Sequence, residues 1–130
     1  MRVCVIALSV ALAAMLLHAP LGWSHHSNSA FLVEKIIEVK GVVTEWRWVN
    51  PHTWLSVTAG DGNGGTIEWS IEGRAPGVLG RVGWTRNTLK PGDMVTVHFS
   101  PAKDGSRTGL VARVTLADGT VMSNGGPANQ

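Results

Sequence analysis

Hydrophobic and polar residues alternate along much of the chain, in short runs separated by segments that contain glycine and proline. Runs of this kind, rich in β-branched and aromatic residues, are typical of β-strands. They predict five strands, at residues 36–49, 52–59, 66–72, 94–100 and 110–116. In the third strand, apolar positions alternate with a polar set that includes Glu68 and Glu72. We therefore expect one face of that strand to be buried and the face carrying these glutamates to be solvated.

The segments between the runs predict how the strands connect. Gly41, near the middle of the long first run, predicts a bulge or sharp bend. Residues 61–65 favour a hairpin between strands two and three, and residues 90–93 favour a tight turn before strand four. Residues 75–83 lack strand alternation and carry Pro76 near their start, so they predict one short helix or 3₁₀ turn.

This order of elements is that of an OB-fold, a small five-stranded barrel. The expected fold class is therefore all-β: an OB-like barrel with one short helix between strands three and four. A small open β-sandwich is the alternative. We predict one domain at residues 25–122, with a short added strand after residues 118–119. The tail at residues 123–130 has no core-forming residue and is expected to be disordered.

The first 24 residues have the features of an export signal. Arg2 supplies a positive charge ahead of the apolar run at residues 3–17, and Gly22 and Ser24 match the small residues that signal peptidase reads. We predict cleavage after Ser24 and a periplasmic or secreted protein. The apolar run is shorter than the roughly 20 residues of a membrane span, so no stable membrane anchor is expected after cleavage.

Composition narrows the range of functions. The formal net charge is +2 and the basic residues are scattered, so nucleic-acid binding is not expected. The single cysteine, Cys4, lies in the predicted signal, which leaves the mature chain without a disulfide. Glu68 and Glu72 would lie about 13 Å apart along a strand, beyond the roughly 9.5 Å limit of a glycosidase pair. We expect a binding protein rather than an enzyme, with an unidentified protein or small molecule as its partner.

Histidines at the predicted mature terminus indicate a metal site. Cleavage after Ser24 would leave His25 with a free amine beside its imidazole, and such a terminus binds copper when another imidazole completes a tetragonal set. Cleavage after Trp23 would place His26 third from the amine, a spacing that also suits copper or nickel. Either His52 or the outward-facing His98 could supply that imidazole. His52 has the stronger case, because it follows a predicted turn that presents its imidazole at a barrel rim. The predicted metal ligands are His25, His26 and His52, and the expected metal is copper.

Tryptophans support an alternative function. Five follow the predicted signal: Trp46, Trp48, Trp54, Trp69 and Trp84. Trp69 has the phase of a core residue, whereas Trp54 has the opposite phase to its apolar neighbours and is expected on the outer surface. OB-folds often bind ligands through aromatic residues on strands two and three. The alternative is therefore a metal-free ligand- or protein-binding module that uses Trp54, Trp48 and the outward-facing His98.

Five motifs occur in a fixed order and span nearly the whole mature chain. They are His25-His26-Ser27, Glu45 to His52, Trp69-Ser70-Ile71-Glu72, Leu79 to Trp84 and Lys90-Pro91-Gly92-Asp93. This set resembles a family of small exported proteobacterial proteins known only as a domain of unknown function. The family usually has alanine before the histidines, where this chain has Ser24. The resemblance implies export and a single domain, and it implies no activity.

Overall fold

A computed structural model describes residues 28–125, so the predicted signal segment, His25 and His26 lie outside the described residues. A 3₁₀ turn at Asn28–Ala30 precedes the first strand, and helix α1 spans Pro76–Gly80. No helix within residues 28–125 is both long enough and apolar enough to cross a membrane. The strands of this part of the chain are β1 (Ile37–Arg47), β2 (Trp54–Gly60), β3 (Thr66–Glu72), β4 (Met94–Pro101), β5 (Thr108–Leu116) and β6 (Val121–Ser123).

The long strand β1 pairs on both of its sides and begins the barrel. Its residues 41–47 pair antiparallel with β2, and its residues 37–42 pair antiparallel with β4. Strand β3 pairs antiparallel with β2 and then parallel with residues 108–110 of β5, while β4 and β5 pair antiparallel. The sheet is therefore a closed five-stranded barrel, and the predicted OB-like fold with one helix between β3 and β4 is confirmed.

Apolar side chains fill the barrel interior. Val95, Val97 and Phe99 of β4 are buried, as the alternation predicts. In β5 the buried hydrophobic side chains are those of Val111 and Val114, which are three positions apart. A bulge explains this spacing, because the register between β4 and β5 shifts between residues 98 and 99.

Gly41 is buried at the point where β1 changes partner from β4 to β2. A Cβ atom here would overlap the carbonyl oxygen of Thr58 and lie 2.7 Å from Cγ1 of Val57. Of the two features predicted at Gly41, a bulge is wrong, since the shift in register lies between Val43 and Glu45, and a sharp bend stays a prediction. Glycine is needed at position 41 because the neighbouring strand approaches closely.

The chain after β5 folds back onto the barrel. Strand β6 pairs with residues 113–115 of β5, and the backbone N–H of Asn124 donates to the carbonyl of Ala112. Arg74 donates from its backbone N–H to Asn124 Oδ1 and from Nη1 to the carbonyl of Gly125. Residues 123–125, which the sequence placed in a tail, are held to the barrel by these contacts. Residues 126–130 lie outside the described residues.

We expect Gly41→Ala to lower the free energy of unfolding by about 1–3 kcal/mol, because the added methyl group overpacks against fixed backbone. Gly60→Ala is the matched control: Gly60 lies in β2, and a Cβ there meets no atom within 4 Å. Urea denaturation followed by tryptophan fluorescence measures both changes. Equal losses in the two variants would contradict the close-approach argument.

Candidate functional site

His52 and Glu72 form a short hydrogen-bonded pair at the open end of the β2–β3 hairpin. Nδ1 of His52 lies 2.6 Å from Oε1 of Glu72. The hairpin register explains the contact, because Trp54 pairs with Glu72 and His52 lies two residues before Trp54. Residues two apart in an extended chain point to the same side. His52 itself follows a cis peptide bond between Asn50 and Pro51.

Hydrogen bonds of the neighbouring residue, Thr53, fix the backbone at His52. Thr53 is fully buried, and its N–H and Oγ1 both donate to the carbonyl oxygen of Arg74, at 3.2 and 3.0 Å. The N–H of Gly73 donates back to the Thr53 carbonyl at 2.8 Å. These bonds continue the pairing of β2 and β3 past the ends of both strands, so His52 is held beside Glu72.

Glu72 is buried, which corrects the expectation that it lies on a solvated face. Its side chain is only 11% exposed, whereas Glu68, on the same face of β3, is exposed. Trp54 on β2 and Leu110 on β5 are its register partners on either side. Burial raises the pKa of the Glu72 carboxyl above its ordinary value, and the positive charge of His52 opposes part of that rise.

The second nitrogen of His52 remains free among the described residues. A ring nitrogen 2.6 Å from a carboxylate oxygen carries a hydrogen that it donates, so Nδ1 is committed to Glu72. No residue within 28–125 forms a hydrogen bond to Nε2, and the His52 side chain is 37% exposed. In the neutral imidazole, Nε2 therefore carries a lone pair that no described residue uses. A neutral imidazole with this arrangement can bind a transition metal or accept a proton.

An aromatic side chain and a guanidinium lie beside the pair. Trp54 is half-buried and occupies the outer face of β2, as predicted, with Leu55 on the opposite, buried face. Arg47 pairs with Trp54 in register and places its Cζ 5.8 Å from the indole centroid. Nε of Arg47 lies 3.6 Å from Oε2 of Glu45, and both of these side chains are largely exposed.

His98 lies in a different environment, on the outer side of β4. Its Nε2 lies 2.9 Å from Oε2 of Glu38, and its side chain is only 14% exposed. Its Nδ1 is buried and has no hydrogen-bond partner among the described residues. In the barrel order, β5 separates β4 from β3, so the structure does not bring His98 to the His52 pair.

Trp48 belongs to an aromatic cluster rather than to the face that carries Trp54. Its ring centroid lies 5.7 Å from that of Trp46, which in turn lies 5.4 Å from Trp84. Trp46 Nε1 donates to the carbonyl of Thr85, and Trp84 Nε1 donates to the carbonyl of Ser123. The cluster packs against the core, and its indole N–H groups at positions 46 and 84 have partners.

The predicted metal ligands fall into two groups. His52 is described, whereas His25 and His26 lie outside residues 28–125. Within that range, no three side chains of His, Cys, Asp or Glu are grouped so that they could hold a metal ion.

Sequence reasoning missed Glu72 as a partner of His52. The signal was present in the hairpin, because a turn centred on residues 61–65 places residue 54 opposite residue 72. The alternation then puts His52, Trp54 and Glu72 on one face. The burial of Glu72 could not be predicted from the hairpin, because it depends on β5, a strand much later in the chain.

A search of curated proteins finds no match to this chain. A sequence model of one family matches residues 12–113, a range that contains β1 to β4 and both members of the His52–Glu72 pair. The resemblance seen in the motifs is thereby confirmed at the level of the family. The chain belongs to the family of unknown function DUF6152.

Proposed function

We propose that this protein is an exported metal-binding protein that carries copper through His25, His26 and His52. The observation that supports this function best is the state of His52, whose Nδ1 is held by Glu72 while Nε2 has no partner among residues 28–125. Imidazoles that ligate metals typically donate their other ring hydrogen to a carboxylate or a carbonyl. Imidazole and amine nitrogens suit copper, and geometry rather than affinity then selects among similar ions.

In this proposal each group has a defined part. Signal cleavage after Ser24 frees the amine of His25, which with its own imidazole forms a chelate, and His26 and His52 add further nitrogens. The barrel supplies a rigid position for one ligand, and the terminus supplies the rest. The role is metal carriage or accessory binding, with no reaction catalysed.

The proposed function predicts that removal of the His52 imidazole weakens metal binding. Because one of the ligands is removed, we expect His52→Ala to weaken copper(II) binding by more than about tenfold. His98→Ala is the matched control, since His98 already contacts Glu38 and lies two strands from Glu72. Competition with a chelator, using the exported form, measures both affinities. Unchanged affinity in His52→Ala would remove His52 from the site.

The second prediction concerns the terminus. If the amine of His25 is a ligand, three additional alanines before His25 should weaken copper binding, because they separate the amine from the imidazole and leave neither histidine third from the new terminus. The His25→Ala, His26→Ala double variant should weaken binding further. Mass spectrometry of the exported protein first establishes its terminal residue. A double variant that binds copper as tightly as the native protein would contradict the proposed function.

A second candidate function is metal-free binding of a protein or small ligand at Trp54. The observation in its favour is the half-exposed indole of Trp54 with the Arg47 guanidinium 5.8 Å from its centroid, an arrangement that aromatic or anionic partners can use. The other residues of this alternative lie elsewhere: Trp48 is in the aromatic cluster, and His98 is beside Glu38.

This candidate makes a distinct prediction. Envelope extract of the producing organism, added with copper chelated, should quench the tryptophan fluorescence of the native protein and of His52→Ala. The quenching should be lost in Trp54→Ala, with Trp48→Ala as the control. Quenching that survives in Trp54→Ala would exclude Trp54 as the contact.

A further inference from the structure

We infer that Glu72 is a positioning residue, whose carboxylate holds the ring of His52 with the hydrogen on Nδ1 and the Nε2 lone pair directed outward. This inference deepens the proposed function, on which it rests for the identity of the metal-facing atom. Glu72 itself does not contact the metal. Its effect reaches the site through the orientation and tautomer of the imidazole.

His52 supplies the polar partner of the buried Glu72 carboxylate among the described residues. A carboxylate that loses its water costs free energy unless a partner compensates, and replacing such a buried pair with apolar side chains is often neutral or stabilising. Among residues 28–125, His52 is the one side chain that forms a polar contact with Glu72. Glu68, four residues earlier on the same face, is exposed and forms no ion pair with a described residue.

Both members of the pair are held in place by independent contacts. Glu72 ends a strand that is paired on both sides, with Trp54 opposite it in β2 and Leu110 opposite it in β5. The backbone at His52 is fixed by the Thr53–Arg74 bonds. The carboxylate and the imidazole therefore meet in one geometry, which is the requirement for fixing a tautomer.

The barrel contains a second His–Glu pair with the opposite distribution of burial. At His98 the ring is 14% exposed and the Glu38 carboxylate is 63% exposed, and both ring nitrogens are either bonded or buried. At His52 the ring is 37% exposed and the Glu72 carboxylate is 11% exposed. Of these two pairs, only that of His52 and Glu72 leaves a ring nitrogen accessible. The buried Glu72 carboxylate can orient the exposed imidazole of His52, whereas the exposed Glu38 carboxylate lies on the solvent side of the buried imidazole of His98.

The test uses two variants of Glu72. Glu72→Met conserves the shape of the side chain and removes the acceptor, whereas Glu72→Gln keeps an oxygen that can accept from Nδ1. Glu38→Met is the matched control, because it removes the carboxylate partner of the other histidine. Two measurements are made on each protein: the tautomer of His52 without metal, and the affinity for copper(II).

Long-range ¹H–¹⁵N spectra, recorded above the titration range of imidazole, report the tautomer in the metal-free protein. We expect the hydrogen on Nδ1 in the native protein, in Glu72→Gln and in Glu38→Met, and on Nε2 for most molecules of Glu72→Met. Copper affinity should fall about 10- to 100-fold in Glu72→Met and recover in Glu72→Gln, the range typical of residues that orient a ligand.

The outcomes separate this inference from the proposed function. A hydrogen on Nε2 in the native protein, or an unchanged tautomer in Glu72→Met, would overturn the positioning role whatever the copper data show. If Glu72→Met does not fold, the tautomers of His52 in the native protein and in Glu72→Gln still test whether Glu72 positions the ring. If the tautomer shifts as expected but His52→Ala binds copper like the native protein, the proposed metal function fails and the orientation of His52 by Glu72 stands.

Discussion

The parallel pairing of β3 with β5 is short, with Ser70, Ile71 and Glu72 opposite Thr108, Gly109 and Leu110. It nevertheless closes the barrel, because without it β3 would be an edge strand with one row of unpaired backbone groups. The same contact sets Leu110 beside Glu72 and removes that carboxylate from water. Closure of the barrel thus places beside β5 the carboxylate that the β2–β3 hairpin brings to His52.

Local signals in the sequence predicted most of the fold. The alternation and the turn residues located β3 at its observed bounds, placed one short helix after it, and put His98 and Trp54 on the outer side of their strands. These features depend on neighbours within a few residues, where the period of the backbone dictates which side chains share a face. The hairpin at residues 61–65 also fixed the register that brings His52 to Glu72.

Features that depend on distant strands were not predictable in this way. Glu72 lies opposite Leu110 of β5, which is far along the chain, and Gly41 is constrained by the backbone of Thr58. The shift in phase of β5 arises from its pairing with β4 at Phe99. Two glutamates four residues apart on one strand, Glu68 and Glu72, look alike in the sequence. They differ in the structure because only one of them lies opposite β5.

Arg74 connects the candidate site to the last described residues. Its carbonyl accepts both hydrogen bonds from Thr53. Its backbone N–H and Nη1 donate to Asn124 and Gly125, near the end of the described chain. Because a chain is synthesised from its amino terminus, the segment that supports His52 acquires its full set of contacts only after residue 125 has been added. The hairpin that brings His52 to Glu72 is complete much earlier in synthesis, whereas the contacts that fix its end form late.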